Sequence, residues 1–222
     1  MRRVIDEYRV GSVCDFGGGA NPVLSLDDID RLGLRYLIVD APTAELQKTP
    51  PGYNTRNLDI GGPGFYLDGE TFDLVVSKFV AEHVADPAAF HLCARSVLRR
   101  GGRAAHFFPT LPAPPFVMNR LLGGRPSRML IDLLQPGLRD KTGPLGKFPA
   151  YYRWCEEPTD RQYLRFSSVG FAVEDYVVHI GHDYFRRFPM AQRASNAISR
   201  QLIRRPQPWF STYAAVVLRR SG

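Results

Sequence analysis

Between residues 11 and 109 the chain alternates short apolar runs with stretches of helical spacing. The runs are Ser12–Phe16, Arg35–Asp40, Tyr53–Ile60, Phe72–Ser77 and Arg103–Pro109. Each is rich in Val, Ile, Leu or aromatics and ends near a Gly, Pro, Asp or Ser, the pattern of strands buried on both faces. A short helix is predicted over Leu26–Leu32, with Ser25 as N-cap, Asp28 three residues on and Gly33 past its end. A second spans Pro87–Arg99 and is closed by Gly101-Gly102; Phe90, Cys93, Ala94 and Val97 recur along it at helical spacing, which makes Cys93 a core residue. Strands and helices in this alternation predict an α/β layered sheet.

The pattern changes from Leu111 to Thr159. With Pro109 included, this stretch holds nine of the chain's eighteen prolines and the aromatic cluster FPAYYRWCE. Short helices are predicted near Phe116–Leu122 and Ser127–Leu134. So long a loop inside a compact domain is either a lid that shapes a substrate site or a proline-stiffened buttress on the sheet. Strand-like patterning returns at Phe171–Ile180 and Ser211–Leu218, and no internal repeat is present. The 222 residues fit one domain, with residues 111–159 as an insertion inside it.

Charge modifies this picture only at the C-terminal end. The formal net charge is +7, but Gly181–Gly222 contains eight arginines and one acid, Asp183, so the first 180 residues are near neutral. A helix opened by Pro189 would line up Arg193, Arg200 and Arg204, either to grip phosphate or as a solvated face beside Met190, Ala194, Ile198 and Leu202. The N-terminal MRRVIDEYRVGS carries acids and no continuous apolar stretch, unlike a signal peptide, and no run is long enough to cross a bilayer. Cys14, Cys93 and Cys155 are odd in number and far apart, so reduced thiols in a cytoplasmic protein are expected. No zinc framework is present, and His179 and His182 lack a third ligand.

The candidate chemistry centres on VCDFGGGANP, residues 13–22. A strand ending in an acid, followed by glycines and a helix, is the general turn for a nucleoside cofactor, because glycine lets the ligand approach the backbone. Asp40 ends the second strand, where an acid can accept ribose hydroxyls; Asp59 ends the third run and can accept an adenine amino group; Ser77 follows the fourth strand. Four strand ends at one edge of a parallel sheet make a site. The phosphate-binding GxxxxGK[ST] loop is absent, and Pro22 stands where a dinucleotide site has its third glycine. Asp27 and Asp28 at the start of the first helix would repel a pyrophosphate, so a cofactor without phosphate fits better.

These residues resemble those of a class I S-adenosylmethionine-dependent methyltransferase, of the type 11 small-molecule kind, over about residues 12–110. CDFGGGAN resembles the family's glycine motif, and VSKFVAEHVADPAAFHLCARSVLRRGGR its fourth-strand and following-helix signature, with Glu82-His83 and a final Leu-x-x-Gly-Gly. The resemblance implies a Rossmann-like, doubly wound, seven-stranded sheet, mostly parallel with an antiparallel C-terminal strand, with helices on both faces and an insertion after strand 5. It implies S-adenosylmethionine as cofactor and S-adenosylhomocysteine as product. Asp15, Phe16 and Gly17, Gly18 and Gly19, with Asn21, would hold the methionine end. Asp40 with Ala41 would take the ribose, Asp59 with Ile60 the adenine, and Ser77, Lys78 and Phe79 would line the crevice.

A small organic acceptor with an O, N or C nucleophile is expected, with His83 or His106 as base and Phe107, Phe108, Tyr151, Tyr152 and Trp154 walling an apolar pocket. The Asp/Asn-Pro-Pro-Tyr stretch of amino-methylating base enzymes is missing, since the chain has SKFV there, which disfavours a nucleic-acid partner. An RNA or protein methyltransferase using the C-terminal arginines, and a cofactor-binding homologue without methyl transfer, stay open as alternatives. So does a homodimer, and an NAD-dependent oxidoreductase stands further off.

Overall fold

The computed structural model describes residues 1–41, 43–62, 65–110, 149–179 and 211–222, with Met190 and Arg193. The predicted helices at 116–122 and 127–134, most of the 111–159 insertion, Asp183 and His182, and the stripe of Arg200 and Arg204 lie outside the described residues.

In chain order the elements are α1 (Arg2–Tyr8), β1 (Ser12–Phe16), α2 (Leu26–Leu32), β2 (Arg35–Asp40), α3 (Thr43–Leu46), β3 (Asn54–Asn57), β4 (Phe72–Lys78), a 3-10 turn (Ala81–His83), α4 (Pro87–Val97), β5 (Leu98–Pro109), α5 (Asp160–Ser168), β6 (Phe171–His179) and β7 (Tyr213–Arg220). The seven strands form one sheet in the order β3-β2-β1-β4-β5-β7-β6. The first five pair in parallel, and β7 runs antiparallel to both β5 and β6. This is the expected doubly wound sheet.

Strands buried on both faces need helices on both faces. Phe90, Cys93, Ala94 and Val97 of α4 and Phe166 of α5 pack with Cys14, Val75 and Ala104 on one side. Ile5 of α1, with Leu24, Leu34 and Tyr36, packs with Val13, Leu74 and Val76 on the other. The local signals act as predicted at α2, where the Ser25 hydroxyl accepts the Asp28 N–H at 3.2 Å and Gly33 takes the left-handed cap. Asp86 caps α4 by accepting the Ala89 N–H at 3.1 Å, and Pro87 opens the helix, where its missing N–H costs no bond.

Several boundaries differ from expectation, among them β7, which runs Tyr213–Arg220 rather than Ser211–Leu218. Strand 3 is only Asn54–Asn57, because the chain turns at Leu58–Gly62 to meet the cleft. Helix α4 ends at Val97, and Gly101-Gly102 belong to β5: the chain turns extended at Leu98 and Gly101 is a left-handed residue within that strand (φ +71°). Helix α1 is a turn of structure that the polar N-terminal sequence does not announce; only Ile5 within it is buried.

Register sets the site. Phe16 pairs with Val39 and with Ser77, and Asp40 with Asn57. The carboxyl ends of β1, β2, β3 and β4 therefore lie level, and the strand order reverses between β1 and β4. A ligand crevice is expected at that reversal.

Candidate active site

The loop after β1 is fastened before it can hold anything. The Gly17 N–H donates to the Val39 carbonyl at 2.8 Å, and Gly17 has φ +74°. A β-carbon there would stand 2.4 Å from a Val80 methyl, so only glycine lets the loop and the turn after β4 close on each other. Gly18 lies against the Asp15 carboxylate, which leaves no room for a side chain. Asp15 itself is fully buried; one of its oxygens accepts the Val23 N–H at 2.8 Å and the Tyr36 hydroxyl. Desolvation pushes its carboxyl up to about 6, against the opposing pull of those two hydrogen bonds. Asp15 thus ties the loop's far end to β2 from beneath.

Beyond this loop a cleft of about 740 Å³ opens at the strand-order reversal, a size suited to a nucleoside cofactor plus a small partner. One wall carries Gly17, Asn21, Asp40, Ala41, Asp59 and Ile60. Asp40, 8% exposed, accepts the Gly19 N–H at 3.2 Å, which binds the glycine loop to the end of β2. Burial raises its carboxyl above the ordinary range, moderated by the Gly19 and Ala41 N–H groups. Asp59 is held in a tight turn by the Gly61 N–H at 3.0 Å.

The lining chemistry fits S-adenosylmethionine. Asp40, Glu45, Asp59 and Asp86 all line the cleft. Four carboxylates oppose a pyrophosphate and favour a ligand with diol, amine and cationic groups. Asp40 stands at the end of β2, Asp59 and Ile60 in the turn after β3, and Gly17 just after β1, all lining the same cleft.

The same cleft is lined by Lys78, Phe79, Val80 and His83, joined by Pro149 and Tyr151. Phe79 has φ +57°, a conformation that a bulky residue adopts only under constraint, and its N–H donates to the Phe107 carbonyl at 2.9 Å. Segment 149–152 is pinned across the turn: the Tyr151 and Tyr152 N–H groups donate to the Glu82 carbonyl at 2.7 and 3.1 Å. His83 Nδ1 lies 2.9 Å from the Pro149 carbonyl. A carbonyl only accepts, so Nδ1 carries the proton in neutral His83, and Nε2 holds the lone pair, 3.9 Å from a Glu82 oxygen. Glu82 is 5% exposed, and desolvation pushes its carboxyl up to about 7.

Eight of the expected cofactor residues line the cleft: Gly17, Asn21, Asp40, Ala41, Asp59, Ile60, Lys78 and Phe79. Asp15, Phe16, Gly18, Gly19 and Ser77 do not; they sit behind it as support. His106 lies in the core, 2% exposed, with Nδ1 2.8 Å from the Ser77 hydroxyl and its ring against Phe90 and His91. Burial drives its imidazole down to about 3, so it stays neutral and away from the cleft. Of the expected aromatic wall only Tyr151 faces the cleft; Phe108 is core, and Trp154 stacks on His91. Glu45, Val80, Val84 and Asp86 also line the cleft without having been singled out. The Glu45 position, five residues past Asp40, is the one a spacing argument could have reached. Among the described residues no helix is long and apolar enough to cross a membrane.

Comparison with known proteins agrees with this geometry. Residues 15–106 match the family described as Methyltransferase domain. Two curated relatives, both named ubiquinone biosynthesis O-methyltransferase, come from strains of Cereibacter sphaeroides; each is 33% identical over 91 residues, 39% of this chain. The chain spans about a third of the length of these relatives, 35%. Among solved structures, a SAM-dependent methyltransferase from Archaeoglobus fulgidus is similar with TM-score 0.58 at 14% identity, over 99% of this chain and 90% of that one. An S-adenosylmethionine-dependent methyltransferase from Clostridium acetobutylicum gives TM-score 0.58 at 10% identity, over 100% and 89%. PKMT2 from Rickettsia typhi, solved in complex with AdoHcy, gives TM-score 0.57 at 12% identity, over 96% of this chain and 49% of that one. Residues 15–106 thus match the Methyltransferase domain family, and the sheet around them has the fold seen in solved S-adenosylmethionine-dependent methyltransferases.

Proposed function

We propose that the protein transfers a methyl group from S-adenosylmethionine to an O, N or C nucleophile of a small organic acceptor. The observation that carries this reading is the cleft at the β1–β4 reversal. It is lined by the glycine loop and four carboxylates together with Lys78, Phe79, His83 and Tyr151.

The bound cofactor supplies an activated methyl group on sulfur. The chain's work is then to hold, to exclude water and to accept a proton. Asp40 and Asp59 hold the nucleoside, and the Gly17 backbone with Asn21 holds the amino-acid end. The acceptor's nucleophilic atom attacks the methyl carbon in line; its new bond forms as the carbon–sulfur bond breaks, with that electron pair staying on sulfur. Where the nucleophile carries a proton, His83 Nε2 takes it. The Pro149 carbonyl presets the tautomer that leaves this nitrogen basic, and the nearby Glu82 carboxyl group helps hold the added charge. An O-acceptor is favoured by the named activity of the Cereibacter sphaeroides relatives, which this chain matches at 33% identity over 91 residues.

The test is methyl transfer from radiolabelled S-adenosylmethionine to a panel of phenols, carboxylic acids, amines and activated carbon acids, with product mass determined. One acceptor methylated with saturation kinetics supports the reading. Binding of cofactor with no methylated product from any class would favour a homologue that binds without transferring.

A further inference from the structure

We propose that the acceptor wall of the cleft is built for a small aromatic carboxylate, with Lys78 holding its charge and Phe79 and Tyr151 flanking its ring; this rests on the methyl-transfer reading above. Lys78 is the last residue of β4, at the strand-order reversal, and is exposed on the cleft wall. Its ammonium lies 5.9 Å from the centre of the Phe79 ring. Among the described residues no carboxylate lies within ion-pair distance of it, although four carboxylates line the same cleft from other elements.

That placement is informative because the methyl donor is itself a cation at its reacting sulfur. A lysine facing the same space adds a second positive charge, which raises the energy of an ammonium acceptor and lowers that of an anion. The carboxylates elsewhere in the cleft serve the cationic cofactor; Lys78 serves an acceptor of opposite sign.

The ring surface is placed with equal care. Phe79 holds its left-handed backbone (φ +57°) through the Phe107 carbonyl and through edge-on contacts with Phe107 and Tyr213 at 5.2 and 5.8 Å. Such a conformation costs a non-glycine residue about 1–3 kcal/mol and persists where the surroundings impose it, often at a binding site. Its result is an apolar ring left 43% exposed on the cleft wall, directly beside the lysine. Tyr151, 44% exposed, lines the same cleft from the pinned 149–152 segment. Two aromatic surfaces and one point charge recognise a flat molecule with a carboxylate on its edge.

The test uses the protein saturated with S-adenosylhomocysteine, with saturation established by calorimetry. 4-Hydroxybenzoate and its neutral counterpart 4-hydroxybenzamide are then titrated in low salt and in high salt. The carboxylate is expected to bind about tenfold tighter in low salt, and the gap to shrink in high salt. Lys78→Met should bring the two probes within about twofold of each other, Lys78→Arg should keep the preference, and Phe79→Leu should weaken both probes together. Equal binding of the two by the wild-type protein, binding of neither, or a preference that survives Lys78→Met overturns the proposal. Failure of S-adenosylhomocysteine itself to bind overturns the methyl-transfer reading as well, so the two failures are distinct.

Discussion

Replacing Gly17 with alanine puts a methyl carbon where the Val80 side chain stands. The structure sets the size of the effect. The new carbon would lie 2.4 and 3.1 Å from the two Val80 methyls and 3.4 Å from its Cβ, against about 3.5–4.0 Å for a comfortable carbon contact. The backbone adds a second cost, because φ +74° is unfavourable for alanine by about 1–2 kcal/mol. Relief requires Val80 or the loop to shift by roughly an ångström, and both line the cleft. Together these place the loss of folding stability at about 2–3 kcal/mol, a drop in Tm of about 4–12 °C for a chain of this size. Affinity for S-adenosylhomocysteine is expected to fall by about 10- to 100-fold.

Clash and backbone strain can be separated with Val80→Ala. In the Gly17→Ala background it removes both methyls and relieves the clash, while the strain at φ +74° remains. The double mutant is therefore expected to be more stable than the sum of the single changes, with a coupling of about 1 kcal/mol or more. Thermal melts and calorimetric titration of all four proteins supply the cycle. A strictly additive cycle, or a Gly17→Ala protein that binds S-adenosylhomocysteine like wild type, would refute the close approach of loop and turn.

Other residues make separate demands. Asp40→Asn keeps the shape and removes the charge, so S-adenosylhomocysteine affinity measured by calorimetry should fall about 10- to 100-fold. His83→Gln should lower kcat on a proton-bearing acceptor about 100-fold or more, with cofactor affinity changed little; an unchanged kcat would remove His83 as base. Acid should destabilise the fold through His91 and His106. Burial holds His91 well below its ordinary range and His106 at about 3, while in the unfolded chain both take up protons near pH 6.5. Their contribution is complete above about pH 6.5 and is lost as pH falls toward 3, each by up to about 1.4 kcal/mol per pH unit. Asp15 and Glu82, with carboxyls raised to about 6 and 7, act in the opposite sense: their contribution is lost as pH rises through the interval from the ordinary carboxylate range to those values. His91→Phe should therefore flatten the loss of Tm between pH 6.5 and 4.5, and an unchanged slope would show that the imidazole is already charged in the folded protein.

The fold was legible because its signals are local. Val, Ile and Leu runs ending in Asp15, Asp40 and Ser77 mark the strand ends, and Ser25 and Gly33 delimit α2 by chemistry that needs no tertiary partner. The cleft lining at the strand ends was legible for the same reason, since strand-end acids in a parallel sheet must share an edge. Lys78, Phe79, His83 and Tyr151 were also named in advance and line the cleft, but what presents them was not legible: Phe79 takes a left-handed backbone that a sequence of Lys, Phe and Val does not require, and Tyr151 is fastened by the Glu82 carbonyl. His106 was ambiguous because β5 is buried on both faces, so no polar alternation says which way its imidazole points. Pairing with Ser77 across β4 decides it.

Whether this cleft binds a phosphate-free, cationic nucleoside cofactor is tested by calorimetric titration of the wild-type protein with S-adenosylmethionine, S-adenosylhomocysteine and NAD. One-to-one binding of the two sulfur nucleosides and none of NAD is expected. Binding of NAD with no response to either sulfur nucleoside would contradict it.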